Sequence, residues 1–558
     1  MMWTVLIAMA CGAKDQAVAD PESSDSAEAV VESHDSASPV DTGAAPTEPP
    51  PMRECEAPRL QQIGEFTSLE LHPEGSPPPA IVLGSCGWGL AVMDANGDDW
   101  PDLISAGAWA STYALVNSDG VLSPSDEIKF DGGALPASNG LAVGDIDQDG
   151  LPDLVAVRST GSADLVYINH GNGVFKSVDL PNSQFESQGA TLFDADGDGD
   201  LDLFVSRHID IYETNMTAME AGTALGDPNG FYLNEDGVFE EGVVPGIVDA
   251  ATFQAVPLDA DVDGDLDLFL VNDFGAFIES SELLINEDGA FSRVEDCGCD
   301  GAKFGMGGAV ADVDGNGFPD LHVSNFGATE LLLGMDGSGF YNAALARGVD
   351  VGPDRVTGWG TTFVDVDMDG DPDLASAFGP VMVGVDGDWS DVVDHDVVAG
   401  LDDIPAQPNA LWVNEDGAFT ESAEEIGFGY VGISRAVVVA DFNRDGLPDL
   451  ATSGVDQNRQ QRVQIYASEG GCGPGVVVDF PTMSASDLGA KVEWSTAGTE
   501  RVTWMNPTTT FSSSGSTLHL GLGRYLRADW VRITPVAGEP IEFADVPAGT
   551  VLDQRSYQ

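Results

Sequence analysis

One ten-residue pattern, D-x-[DN]-x-D-G-x-x-D-L, recurs seven times with small departures in this 558-residue chain and constrains what it can fold into more than any other feature. It reads DANGDDWPDL from Asp94, DIDQDGLPDL from Asp145, DADGDGDLDL from Asp194 and DADVDGDLDL from Asp259. It returns as DVDGNGFPDL from Asp312, DVDMDGDPDL from Asp365 and DFNRDGLPDL from Asp441. Consecutive starts lie 51, 49, 65, 53, 53 and 76 residues apart, so one structural unit repeats with two insertions. A unit of that size cannot bury its apolar face alone, and the units must pack on one another.

The pattern is that of a hard-cation cage. Carboxylate or amide oxygens stand at positions 1, 3 and 5, a backbone carbonyl near 7 and a carboxylate at 9, an irregular oxygen shell that suits Ca²⁺ better than Mg²⁺. The expected ligands are Asp94, Asn96, Asp98 and Asp102; Asp145, Asp147, Asp149 and Asp153; Asp194, Asp196, Asp198 and Asp202; and Asp259, Asp261, Asp263 and Asp267. The last three loops offer Asp312, Asp314, Asn316 and Asp320; Asp365, Asp367, Asp369 and Asp373; and Asp441, Asn443, Asp445 and Asp449. Position 6 is glycine in six copies, which allows a positive-φ turn around the ion, and Asp99 replaces it in the first.

An EF-hand opens with the same consensus but needs a bidentate Glu at position 12 and flanking helices. Position 12 here is Ser105, Ala156, Val205, Leu270, Val323, Ser376 or Thr452, and the flanks read as strands, such as Leu141-Ala142-Val143 before one loop and Leu154-Val155-Ala156-Val157 after it. A second hairpin follows most loops, as in YLNEDGVF ending at Phe239 and WVNEDGAF ending at Phe419, where Asp-Gly favours a type I′ turn. Two hairpins make four strands per unit. Seven such units set radially predict an all-β, seven-bladed β-propeller whose strand edges stay short, with the ions in hairpin loops on its outward strands.

Bulk properties agree. The 94 Asp and Glu against 21 Lys and Arg give a formal charge of −73, which excludes a nucleic-acid binder that neutralises phosphates and a protein that docks on anionic lipid. With 42% hydrophobic residues the chain still has material for a core. Seven Ca²⁺ would leave about −59, so calcium does not account for all the acidity. Residues 1–11 read as an export signal, and Leu6-Ile7-Ala8-Met9-Ala10-Cys11 resembles a bacterial lipobox with Cys11 as the lipidated residue, an ordinary secretory signal being the alternative. Residues 12–58 are a disordered acidic tether rich in Ser, Pro and Ala, which keeps the only membrane contact at the lipid anchor. The propeller is expected over 59–472 and a small β module over 473–558.

The loops, with preceding signals such as Gly87-Trp88-Gly89, Phe304-Gly305-Met306-Gly307 and Gly358-Trp359-Gly360, resemble FG-GAP/VCBS repeats, the repeat type of integrin α-chain propellers. DLGAKVEW around Gly489 and LHLGLGRYLRADWVRI around Gly521 and Gly523 look like an ASPIC/UnbV module. That order resembles the cartilage acidic protein family, which has many bacterial members. The module's usual Trp-Pro-x-Gly turn is replaced here by Thr534-Pro535-Val536-Ala537-Gly538, and its usual Asn-Arg is missing ahead of Gly489. The resemblance implies a calcium-binding cell-surface or secreted protein that adheres to an extracellular protein or glycan, with no catalytic activity.

Other residues fit this picture. The chain lacks G-x-S-x-G, H-E-x-x-H and a Gly-Lys-Ser phosphate loop, and its seven histidines stand singly. A glycan-binding lectin or polysaccharide lyase on the same propeller is the alternative class. The insertions near Ile209 to Asn229 and Ala377 to Asn409, the second carrying Asp386, Asp388, Trp389, Asp391, Asp394 and His395, are places where recognition could reside. Arg524, Arg527 and Arg532 are expected to pair with the chain's own carboxylates, a sulfated-glycan site being the alternative. Cys55 and Cys86 could pair in an oxidising compartment, with connectivity left open.

Overall fold

A computed structural model describes residues 52–70, 88–107, 113–131, 133, 135–159, 161–209, 225–243, 250–275, 277–287, 289–335, 337, 339–349, 351, 357–379, 407–455 and 460–556. The signal with Cys11, the tether as far as Pro51, Cys86 and most of both insertions lie outside these residues.

The fold is all-β. Its helical elements, among the described residues, are single turns at Ala344–Arg347 and Ala423–Ile426 and a 3₁₀ turn at Gln554–Ser556. Each acidic loop joins the first two strands of its own antiparallel sheet. In the first sheet these are Leu90–Met93 and Asp102–Ser105, followed by Tyr113–Ser118 and Val121–Pro124. The first and second strands of the next sheets are Gly140–Gly144 and Asp153–Val157, Ser187–Phe193 and Asp202–Arg207, Ala251–Leu258 and Asp267–Asp273, Gly305–Ala311 and Asp320–Asn325, Gly358–Val364 and Asp373–Phe378, and Val431–Ala440 and Asp449–Val455. Each second strand pairs in turn with a third, and that with a fourth.

Burial falls along each sheet. First strands such as Gly140–Gly144 and Ser187–Phe193 are buried throughout, whereas fourth strands such as Val238–Glu241 and Ala290–Arg293 are mostly exposed. The first strand of each sheet packs against the first strand of the next, and that of the seventh sheet packs against that of the first, closing a cycle. Crowding at this centre explains the glycines there. A Cβ on Gly189 would lie 2.6 Å from the Phe253 carbonyl oxygen of the next sheet, and one on Gly360 would lie 2.9 Å from that of Arg435. The loops therefore cap the innermost pair of strands in each sheet, not the outer hairpin, because the most apolar run immediately precedes the acids.

The cycle is fastened from both chain ends. The outermost strand of the seventh sheet is Arg59–Glu70, which pairs antiparallel with Gln460–Glu469. Just outside this pairing Cys55 is disulfide-bonded to Cys472, so Cys472, and not Cys86, is the partner. Cys297 and Cys299 are bonded to each other.

Residues 473–556 form two further sheets. One holds Thr517–Leu520, Val476–Asp479 and Thr550–Asp553, the other Thr499–Trp504, Lys491–Thr496, Arg527–Thr534 and Ile541–Pro547. They rest on the loop-bearing side of the cycle. Arg501 pairs with Asp371, Arg555 with Asp99, and the Asp145 N–H donates to the Met483 carbonyl. A short hairpin, Thr508–Thr509 with Ser512–Ser513, leaves these sheets and enters the centre, where Ser513 pairs with Ala91 of the first sheet. The Leu90 N–H donates to Ser512 Oγ, the Leu141 N–H to the Phe511 carbonyl, and Thr509 Oγ1 to the Val437 carbonyl. The Phe511 ring, 1% exposed, lies edge-on to Phe253 at 5.7 Å and beside Trp359 at 6.3 Å. A C-terminal residue thus fills the core between first strands whose own side chains leave room for it.

Phe511→Ala should therefore destabilise the whole molecule by about 3–5 kcal/mol, the cost of an uncollapsed aromatic cavity, in one cooperative urea transition. A loss confined to a separate transition of the C-terminal sheets would show that the hairpin does not support the centre.

Candidate metal centre

The seven loops share one hydrogen-bond scheme. The N–H of position 7 donates to the side-chain oxygen of position 5 in every loop, at 2.7–3.0 Å. The N–H of position 6 donates to the position 1 carboxylate, as from Gly150 to Asp145 at 3.1 Å and from Gly446 to Asp441 at 2.9 Å. Position 6 has positive φ even where it is Asp99, at 68°, and aspartate is among the few side chains that tolerate it. Position 4 is also left-handed, although only three copies have glycine there. Gln148, Val262, Met368 and Arg444 adopt φ of 57–62°, and at β-branched Val262 this conformation is strained.

Position 9 has a different role from the other acids. In each loop this aspartate is 0–1% exposed and accepts two backbone N–H groups at 2.7–3.1 Å, one from position 2 and one from the third strand. Burial is the leading influence on its protonation and the two donors oppose it. The carboxyls of Asp102, Asp153 and Asp202 are pushed up to about 7 and those of Asp267, Asp320 and Asp449 to about 8, while Asp373 is raised well above the usual range. Positive charge brought near such a carboxyl would favour its ionised form at neutral pH.

The geometry fits a cation in five loops. Carboxylate oxygens of positions 1, 3 and 9 lie within 4.8 Å of one another at Asp145, Asp147 and Asp153, at Asp194, Asp196 and Asp202, at Asp312, Asp314 and Asp320, and at Asp365, Asp367 and Asp373. In the fourth loop the three are Asp259, Asp261 and Asp263. Asp145 Oδ1, Asp261 Oδ1 and Asp314 Oδ1 are buried and accept no hydrogen bond, the state expected of oxygens that face an ion. The first and seventh loops have an amide at position 3 and do not bring three carboxylates together. Asn96 Nδ2 donates to Asp98 at 3.0 Å and Asn443 Nδ2 to Asp445 at 3.1 Å. An oxygen-only set of this kind would hold Ca²⁺, with the position 9 carboxylate shared between the ion and the backbone.

One contribution is missed by a reading for ligands. Three of the asparagines that precede an Asp-Gly turn link neighbouring sheets, whereas Asn414 Nδ2 donates to the Pro372 carbonyl of its own loop. Asn234 Nδ2 donates to the Ile146 carbonyl at position 2 of the preceding loop, Asn286 Nδ2 to that of Ala195, and Asn117 Nδ2 to that of Phe442, across the closure from the first sheet to the seventh. The asparagine is visible in YLNEDGVF, but its partner lies 88 residues away. Each of these loops is thus tied to the sheet beyond its own.

The remaining predicted residues have local roles. Arg527 pairs with Asp545, and Arg532 with Glu542 at 2.8 Å and Glu493 at 3.6 Å, as expected of pairing with the chain's own carboxylates. His322 lies between the Thr361 and Thr329 hydroxyls, and burial pushes its imidazole down to about 3. His208 pairs with Asp273 at 3.2 Å and stacks on Phe253. The acids and Trp389 of the second insertion lie outside the described residues.

With this geometry in view, the relatives of the chain take on meaning. A family model described as an FG-GAP-like repeat matches residues 94–156, 145–205 and 393–452, and so covers the first, second, third and seventh loops. Integrin alpha-6 of Gallus gallus is 30% identical over 145 residues, which are 23% of this chain and 13% of that protein. These stretches of the chain carry FG-GAP-like repeats, and part of the chain is similar in sequence to an integrin alpha subunit. Among solved structures, an Agrocybe aegerita lectin that recognises non-reducing terminal N-acetylglucosamine is 17% identical, with a TM-score of 0.39 over 60% of this chain and 79% of the lectin. The V. cholerae biofilm matrix protein Bap1 is 14% identical, with a TM-score of 0.32 over 89% and 85% of the two chains. A Bacillus licheniformis rhamnogalacturonan lyase is 12% identical, with a TM-score of 0.33 over 84% and 91%.

The two kinds of acid should respond differently to substitution. Asp267→Asn presents one oxygen and an NH₂ to two buried N–H donors, and should cost about 1–3 kcal/mol in EDTA as well as in Ca²⁺. Asp263→Asn keeps the acceptor for Asp265 N–H and should lower only Ca²⁺ affinity, as read by calorimetric titration. Because the position 9 carboxyls are raised, the metal-free fold holds more protons than the unfolded chain from about pH 4 to 8. Its melting temperature in EDTA should fall as pH rises through that window. The increment on adding Ca²⁺ should grow over the same window, since proton and cation compete.

Proposed function

We propose that this chain is an exported calcium-binding protein in which seven FG-GAP-type loops stiffen a seven-bladed β-propeller that presents a binding surface to an extracellular protein or glycan. The observation that carries this reading is the recurrence of the acidic loop at the same place in seven consecutive sheets whose first strands close on themselves. A cation at each loop would neutralise carboxylates that burial otherwise raises, and would brace the link to the next sheet. Residues 473–558 read as the ASPIC/UnbV-like module of this arrangement, and FG-GAP repeats of the integrin type favour a place outside the cell. Among the described residues no helix is long and apolar enough to cross a membrane. The lipid anchor at Cys11 remains part of the proposal.

The binding surface is assigned to the side away from the loops. The C-terminal sheets rest on the loop side, through Arg501, Arg555 and Met483. Both insertions follow a second strand, after Arg207 in the third sheet and Phe378 in the sixth, at the end opposite the acidic loop. Binding without turnover agrees with the structural employment of His322 and His208 by neighbouring hydroxyl and carboxylate groups.

EDTA should lower the melting temperature and Ca²⁺ restore it, each site held at a hundredfold excess over its Kd contributing about 2.7 kcal/mol. Dissociation constants on the order of 10⁻⁵ to 10⁻³ M are expected. A melting temperature indifferent to both reagents would remove the calcium reading. Capture of surface material that survives deletion of residues 380–406 would remove the second insertion from the binding surface.

A further inference from the structure

The seventh loop differs from the others in what the rest of the chain brings to it. His519 lies on Thr517–Leu520, paired across from Val477 in the C-terminal three-stranded sheet. Its side chain is 3% exposed, and its Nε2 has no hydrogen-bond partner. That nitrogen stands 3.9 Å from Oδ2 of Asp441, the first ligand position of the loop. The separation is too long for the hydrogen bond a buried imidazole would make to a carboxylate, which is about 2.7–3.2 Å. It matches two ligands on one small cation, which sit between about 3 and 4 Å apart when each bond is about 2.0–2.2 Å. The loop itself is the one to gain from a nitrogen, since Asn443 replaces the aspartate found at position 3 in five other copies. Among the described residues one other histidine, His170, lies close to a loop, beside Asp147, and it is exposed.

We infer that His519 Nε2 is a ligand supplied from outside the loop to the cation of the seventh site, which therefore takes a borderline divalent metal of the Zn²⁺ class, while the other loops keep their oxygen-only shells. Imidazole with carboxylates suits Zn²⁺, and Ca²⁺ gains little from a nitrogen ligand. The site would join the last sheet of the cycle to the C-terminal sheets through one ion, with Asp441 on one side and His519 on the other. The inference rests on the reading of the loops as cation sites and not on calcium as their ion.

The test is titration of the full chain, saturated with millimolar Ca²⁺, using Co²⁺ as the visible-spectrum probe and Zn²⁺ as competitor. One equivalent should bind without displacement by Ca²⁺, give the ligand-field bands of a nitrogen-containing site and shift the ring resonances of a single histidine. His519→Gln should weaken that equivalent at least about tenfold while leaving Ca²⁺ stoichiometry and melting in Ca²⁺ unchanged. Retention of the tight equivalent by His519→Gln, or no Zn²⁺ held against Ca²⁺, overturns the assignment. If the variant does not fold, the histidine resonances of the unsubstituted chain decide the matter. Calcium binding measured on the same sample separates failure here from failure of the calcium reading.

Discussion

The buried aspartate at the ninth loop position is the interaction on which the rest of the structure depends. Its two oxygens hold the loop to the third strand by one N–H on each side, so it fixes the inner hairpin and the strand beyond it together. Placing it there costs solvation, and burial raises the carboxyl accordingly. The remaining loop acids raise the demand for positive charge further. The structural aspartate and the acidic cluster around it therefore belong to one loop design, which recurs at the inner hairpin of each sheet.

Closure is a separate problem that the repeats do not solve alone. The first, third and fourth sheets each lend an asparagine to the loop of the preceding sheet, but the seventh sheet still lacks its outer strand. Arg59–Glu70 supplies that strand, and the Cys55–Cys472 bond locks the two ends where the edge would otherwise fray. The centre is completed by Phe511, which comes from beyond the repeats and packs with Phe253, Met306 and Trp359 within them.

The all-β fold class and the position of the acids between two strands were legible because they are local. Spacing of acids within ten residues and the apolar runs on either side of them give strand, loop and strand directly. What was not legible is whatever depends on partners far apart in the chain. The Cys55 pairing spans 417 residues, and Phe511 fills a space lined by Phe253, Met306 and Trp359 from three different sheets. Left-handed φ at Val262 and Arg444 has no residue-type signal, since packing and the hydrogen-bonded loop impose it against local preference. The spacing points to the ninth aspartate as a ligand, but its backbone role depends on an N–H in another hairpin.

The central hairpin also has a consequence in time. Residues 508–513 are made after every repeat, yet they occupy the axis around which the repeats are arranged. A chain emerging from the ribosome or a secretion channel has its first sheets long before it has either their central filling or the last partner of its own first strand. Individual sheets can assemble as they appear, but the finished circle must wait for nearly the whole polypeptide. The closed circle is consequently complete only once residues 508–513 have joined it.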